Sequence, residues 1–195
     1  QSCNAAKRLI VTPKIADAVV ARVVALSEQL VMGDPMRPET TLAPLHTQVL
    51  QQKAHAQVQD ALAHGASALC GGVLPEGSGY FYPATVLDHV NPACRVYGEE
   101  VFAPILSVLR AADEADAIRL ANDTCFGLGA AVYSQNTEHA WALAQNLQAG
   151  SVFINRHTSS DLRLPFGGIK QSGFGRELSE FGLYEFVNVK SYWQK

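Results

Sequence analysis

A cysteine at position 3, in the run QSCNAAKR, can attack an electrophilic carbon. About 3 per cent thiolate at pH 7 already makes cysteine a strong nucleophile, and the basic pair Lys7 and Arg8 can supply a positive field that favours it. A second run, Gly98-Glu99-Glu100-Val101-Phe102-Ala103-Pro104, sets two adjacent carboxylates before an aromatic ring and a proline. One acid at a pocket mouth could accept hydrogen bonds from two sugar hydroxyls, with Phe102 as the wall. A third run, Pro165 to Glu177 (PFGGIKQSGFGRE), bends freely at its glycines. Its spacing fits neither the phosphate-binding lysine loop nor a dinucleotide fingerprint, so its expected task is to shape a loop that positions Phe166. Between the last two runs, His157-Thr158-Ser159-Ser160-Asp161 follows an expected strand end, where open α/β sheets commonly bind ligands. Taken singly, each feature has a plainer meaning: a buried small hydrophobe for Cys3, a solvated turn for Glu99 and Glu100, local turn caps for the serines. A glycosidase pair would need a separated acid and base, and nothing else supports one.

The elements that must position these residues are legible as alternating strands and helices. Residues 8–12 read as a strand, Pro13 to Leu30 as a helix, Pro44 to His64 as a helix stopped by Gly65, and Ala66 to Cys70 as a strand. Tyr80, Tyr82 and Val86 alternate like a strand, Val101 to Leu109 is a further apolar stretch, and Glu114 to Asn122 is helical. Gly129 to Tyr133 and Ser151 to Asn155 read as strands around a helix capped by Asn136 or Thr137 and closed by Gly150. The fold class expected is α/β, a three-layer, mainly parallel sheet with helices on both faces. From about Tyr184 the chain reads as an extended terminal strand with Val187, Val189 and Trp193 on one face.

Composition limits the function classes. The 195 residues are 48% hydrophobic, with 15 basic against 18 acidic side chains and a net charge of -3, scattered without a stripe that would track nucleic acid or a membrane surface. No apolar run approaches a membrane span. The cysteines at 3, 70, 94 and 125 have no zinc-like spacing, so no metal is expected, and a reducing cytoplasmic interior is the expected location. Cys70, Cys94 and Cys125 are expected to be structural.

Together the three runs resemble the C-terminal, catalytic half of the aldehyde dehydrogenase superfamily. QSCNAAKR is similar to its Gly-Gln-x-Cys segment, GEEVFAP to its Glu-Glu-x-Phe-Gly-Pro segment, and PFGGIKQSGFGRE to its Pro-Phe-Gly-Gly-x-Lys-x-Ser-Gly-x-Gly-Arg-Glu segment. The resemblance implies that Cys3 is the nucleophile, that Glu100 binds the ribose hydroxyls beside the nicotinamide of NAD or NADP, and that Phe102 packs against that ribose. It places Leu128 at the nicotinamide region and Phe166 in the aldehyde pocket. It implies residues 1–183 as the catalytic domain and residues 184–195 as a strand joining a homo-oligomeric sheet in a dimer or tetramer. Ala103 departs from the pattern, which usually has glycine there. Ser160, Asp161 and Arg163 most resemble bacterial succinate-semialdehyde dehydrogenases, where Ser160 and Arg163 would hold a distal carboxylate and Asp161 would repel it.

The chemistry implied is attack of the Cys3 thiolate on an aldehyde, hydride loss to the nicotinamide and hydrolysis of a thioester, with the Cys3 N–H facing the oxyanion. In the family the cofactor-binding domain, the general-base glutamate and the oxyanion asparagine lie upstream of the cysteine, so the expectation is a catalytic-domain fragment that is poorly active alone. A coenzyme A-acylating semialdehyde dehydrogenase and a non-catalytic assembly module are the alternatives.

Overall fold

Val86 and Leu87 are neighbours in sequence yet belong to different cores, because successive side chains of a strand leave opposite faces. They lie in β3 (Thr85–Asp88), whose four residues are all buried. In the computed structural model, which describes residues 1–195, β3 belongs to a four-stranded sheet in the order β1-β4-β3-β2, with β1 Arg8–Val11, β2 Ser67–Cys70 and β4 Ile105–Arg110. The first three of these neighbours run parallel, and β2 closes one edge antiparallel to β3.

On one face, helix α1 (Ala16–Ser27) packs Ala16 and Val20 against Val11, Val86 and Val108. On the other, α2 (Gln48–Ala63) and α3 (Arg95–Gly98) bury Ala54, Val58, Ala61, Val96 and Tyr97 with Leu87, Ile105 and Leu109. Leu120 of α4 (Glu114–Asn122) joins that second core. Helices on both faces of a mostly parallel sheet are the expected three layers, but only for residues 1–120, which form one compact unit.

Residues 121–195 form a second unit, where the strands pair as two separate two-stranded ladders. Strands β6 (Gly129–Val132) and β7 (Ser151–Ile154) pair in parallel around α5 (Thr137–Ala144), while β5 (Phe126–Gly127) and β8 (Ile169–Lys170) pair antiparallel.

Local signals explain most boundaries. The Thr47 hydroxyl accepts from the Leu50 N–H at 3.2 Å and starts α2 at Gln48, four residues after the expected Pro44, while Gly65, at φ +90°, turns the chain out of the helix in the left-handed region. Asn136 caps α5 by accepting from the His139 N–H at 3.0 Å. Tyr82 is buried, but the strand it suggested begins only at Thr85, because Pro83 has no N–H for a ladder.

The expected terminal strand is absent within this chain. Tyr184 ends helix α6 (Ser179–Tyr184), and residues 188–195 pair with no strand. Phe186, Val189, Tyr192 and Trp193 are at least three-quarters exposed. No helix is long and apolar enough to cross a membrane.

Candidate active site

Strands β1 and β4 are parallel neighbours with Arg8 opposite Ser107, so the segments that lead into them run side by side. The side chain of Lys7 brings the Cys3 turn to the second segment, with Nζ 5.3 Å from the centre of the Phe102 ring. The pairing already begins at Lys7, whose carbonyl accepts from the Ser107 N–H at 3.0 Å. Two runs almost a hundred residues apart thus meet at the amino ends of adjacent strands.

Cys3 is exposed and occupies the second position of a turn closed by the Ala5 N–H donating to the Ser2 carbonyl at 3.1 Å. That closure leaves the Cys3 N–H outside the turn's own hydrogen bond. The Ser2 hydroxyl donates to Asn4 Oδ1 at 2.9 Å.

The basic pair separates, as adjacent side chains entering a strand do. Arg8 Nη2 donates to the Leu120 carbonyl at 2.8 Å, and its guanidinium lies 5.2 Å from the centre of the Tyr97 ring. Its charge is therefore spent on the core side, and the expected shared field at Cys3 reduces to Lys7. Lys7 Nζ donates to the carbonyls of Ser2, Cys3 and Ala5 at 3.1, 3.3 and 3.2 Å and lies 5.3 Å from the centre of the Phe102 ring. Partial burial lowers the Lys7 pKa, opposed by the negative charges of Glu100 and a Cys3 thiolate. Gln1, Ser2, Ala5, Ala6, Val101 and Ala103 line a small recess with Lys7 and Phe102.

The two acids also divide. Arg95 grips Glu99 with Nε to Oε1 at 2.9 Å and Nη2 to Oε2 at 3.1 Å, and Gln57 Nε2 donates to Glu99 Oε2 at 2.9 Å. The Arg95 hydrogen bonds hold the Glu99 carboxyl below its usual pKa, against a smaller opposing effect of burial. Glu100 is exposed and takes part in neither pair, and its negative charge acts on Lys7. Sequence reading missed Gln57, which is 1% exposed. The available signal was a glutamine on the buried stripe of Ala54, Val58 and Ala61 in α2. Ala103, the departure from the glycine pattern, packs its methyl group against the core, and its φ is not in the left-handed region.

The remaining predicted residues lie in the second unit. Leu128 is half-buried between β5 and β6, with its carbonyl accepting from the Ser151 N–H at 3.2 Å. Phe166 is half-buried and pairs in a β-bridge with Glu177. Ser160 is exposed. Asp161 accepts from Arg163 through both oxygens, at 2.9 and 2.7 Å, and that pairing holds Asp161 well below the usual carboxylate range. The guanidinium is thus already neutralised.

The glycine-rich run is held by its own cations. Lys170 Nζ donates to the carbonyls of Asn122 and Thr124 at 2.8 and 3.0 Å, and Arg176 Nη1 donates to those of Gly168 and Gly175 at 2.9 and 2.6 Å. Both charges serve main-chain carbonyls of the second unit, in keeping with a shaping loop.

All four cysteines are free thiols. Cys94 is buried and Cys70 half-buried, and burial raises the Cys70 pKa. Cys125, expected to be structural, is exposed.

The sequence profile of the aldehyde dehydrogenase family matches residues 1–192. A succinate semialdehyde dehydrogenase [NAD(P)+] of Escherichia coli (strain K12) is 44% identical over 194 residues, covering 100% of this chain and 42% of that protein. A succinate-semialdehyde dehydrogenase [NADP(+)] of Deinococcus radiodurans is 46% identical over 190 residues, covering 97% of this chain and 40% of that protein. The crystal structure of succinic semialdehyde dehydrogenase from Streptococcus pyogenes in complex with NADP+ superposes with a TM-score of 0.93 at 40% identity, covering 96% of this chain and 41% of that one. The chain therefore spans about two fifths of the length of these relatives. A profile match across nearly every residue, with the same backbone at this identity, means that the chain belongs to the aldehyde dehydrogenase family.

Proposed function

We propose that this chain is the nucleophile-bearing part of an NAD(P)-dependent succinate-semialdehyde dehydrogenase. The observation that carries the proposal is the meeting of the Cys3 turn with the Glu100–Phe102 segment at the start of two adjacent parallel strands. In this reading the Cys3 thiolate attacks the aldehyde carbon, and its own N–H, outside the turn's hydrogen bond, faces the oxygen that gains charge. The resulting thiohemiacetal becomes a thioester on Cys3, which water cleaves to release the acid and restore the thiol.

The residues present suit a nicotinamide nucleotide: Glu100 is an exposed, uncommitted carboxylate for a ribose diol, and Phe102 is a partly exposed ring beside it. Bound there, the nucleotide would supply the hydride acceptor. Leu128 would contact the nicotinamide region and Phe166 would line the aldehyde pocket. Ser160 would hold a distal carboxylate, with Arg163 contributing only what Asp161 leaves of its charge. The exposed apolar residues from Phe186 to Trp193 would be covered by a partner copy, the segment pairing as a strand in a homo-oligomer.

Given succinate semialdehyde and NAD+ or NADP+ without coenzyme A, the complete enzyme containing this chain should form succinate and the reduced nucleotide in equal amounts. Product that appears only with coenzyme A, as its thioester, would assign the acylating reaction instead. No turnover of any aldehyde would leave the chain an assembly module.

The unequal commitment of the two acids gives a second expected result. Glu100→Gln removes charge from one or two hydrogen bonds to the ribose, each worth about 1.5–3 kcal/mol, and should raise the nucleotide KM roughly 10- to 100-fold. Glu99→Gln, which weakens the grip of Arg95, should lower the unfolding temperature with a smaller change in that KM. Equal KM values for the two variants would argue against Glu100 as the ribose ligand.

A further inference from the structure

Lys7 Nζ makes three hydrogen bonds to the Cys3 turn. An ammonium has three N–H donors and no acceptor. Here three main-chain carbonyls, of Ser2, Cys3 and Ala5, lie within 3.3 Å of Nζ, so every donor has a partner on the turn. A solvated surface lysine has no reason to gather three carbonyls, because water supplies the same hydrogen bonds without ordering a flexible stem.

The other side of the cation is also occupied. Phe102 presents its ring at 5.3 Å, where the negative face of an aromatic attracts a cation. At its root the residue is anchored as well, since the Lys7 carbonyl is the first acceptor of the β1–β4 ladder. Backbone, carbonyl cluster and ring therefore fix Lys7 from three directions, and they belong to the two runs that carry Cys3 and Glu100. Without the ammonium, three carbonyl oxygens would converge with nothing between them, and the turn would open.

We propose that Lys7 is a positioning residue that locks the turn carrying the Cys3 thiol and ties it to the Glu100–Phe102 segment. The proposal deepens the functional reading above and rests on Cys3 being its nucleophile. Lys7 touches no reacting atom in this account; it acts through the main chain of the turn and through the ring of Phe102. Arg8, one residue on, cannot substitute, because it is bound to the Leu120 carbonyl and lies against Tyr97.

Alkylation by iodoacetamide at pH 7, followed residue by residue with mass spectrometry, tests this on the 195-residue chain. Cys125, which is also exposed, serves as the internal reference. In the unaltered chain Cys3 should react at least about tenfold faster than Cys125, as an activated thiol does. Lys7→Met keeps the aliphatic stem and removes every donor. It should slow Cys3 about tenfold and leave Cys125 unchanged. Lys7→Arg retains a cation over Phe102 but cannot aim three donors at one point, and should recover part of the rate; Lys7→Gln, without charge, should not.

The outcomes separate cleanly. Fast alkylation of Cys3 in Lys7→Met overturns the positioning role while the nucleophile reading stands. A parallel change at Cys3 and Cys125, with loss of the folded circular dichroism signal, overturns it too, because Lys7 would then serve the fold as a whole. If Cys3 of the unaltered chain is no faster than Cys125, the nucleophile reading itself fails and the Lys7 proposal falls with it.

Discussion

With Cys3 as the proposed nucleophile, changing it to serine should lower aldehyde oxidation by the complete enzyme at least about 10³-fold and leave nucleotide binding unchanged. Loss of a nucleophile from a site that works as a unit costs about 10⁶ in the best-measured hydrolases, and 10³ is a floor that allows for residual binding effects. Serine is nearly isosteric, so the turn closed by Ala5 and Ser2 and the three Lys7 contacts, all of them made to main-chain carbonyls of residues 2 to 5, should survive. What disappears is the intrinsically stronger sulfur nucleophile, and nothing in the turn supplies a base for an alcohol. Reduced nucleotide read by absorbance gives the rate, and quenched-flow trapping of the thioester with hydroxylamine gives the intermediate. A serine variant retaining even a tenth of the parent rate would remove Cys3 from the chemistry, whatever else binds nearby.

The residues that could carry this reaction were legible in the sequence because their types are chemically unusual where they stand. A cysteine before a basic pair and two acids before Phe102 needed no coordinates to be singled out. Their proximity was not legible from pattern alone, since parallel pairing of β1 with β4 joins residues almost a hundred apart and leaves no periodic trace. The division of labour within each pair was equally hidden. Glu99 and Glu100 look alike until Gln57 and Arg95 claim the first, and Lys7 and Arg8 look alike until the strand sends them to opposite faces.

Elements with local stop signals were read well. Helix α4 was placed at Glu114–Asn122 from its pattern, and Gly65 marked the end of α2. The terminal segment was read as a strand from its alternation, but alternation records a preference for pairing and cannot supply the partner. Within this chain it has none, so residues 188–195 form no ladder. A mainly parallel sheet was expected because strand-helix alternation runs through the whole chain, yet the strands of the second unit pair as two separate two-stranded ladders, one of them antiparallel.

Gly150 shows how a correct residue was given the wrong reason, and it carries the largest stability effect expected. Read from sequence it closes α5, but that helix ends at Ala144 with Gln145 as its cap. In the structure a Cβ on Gly150 would stand 1.8 Å from the Gly167 carbonyl oxygen and 3.2 Å from the Gly168 Cα. Neither strand of backbone can retreat. The Gly150 N–H donates to the Gly127 carbonyl at 3.0 Å, and the Gly168 carbonyl is held by Arg176 at 2.9 Å. Gly150→Ala should therefore destabilise the second unit by about 3 kcal/mol, the upper end of the usual cost of forcing a methyl group into packed structure. Both tryptophans, Trp141 and Trp193, lie in that unit, so intrinsic fluorescence reports it selectively. With a urea slope near 1–3 kcal/mol/M, the midpoint should fall by roughly 1–3 M. Gly98→Ala, where nothing lies within 4 Å of the added carbon, is the comparison in the first unit, and its unfolding followed by far-UV circular dichroism should stay within about 0.5 kcal/mol. An unchanged fluorescence midpoint in Gly150→Ala would mean that the 150 and 167–168 backbones do not pack together, and with that contact would go the account of how the glycine-rich run is shaped.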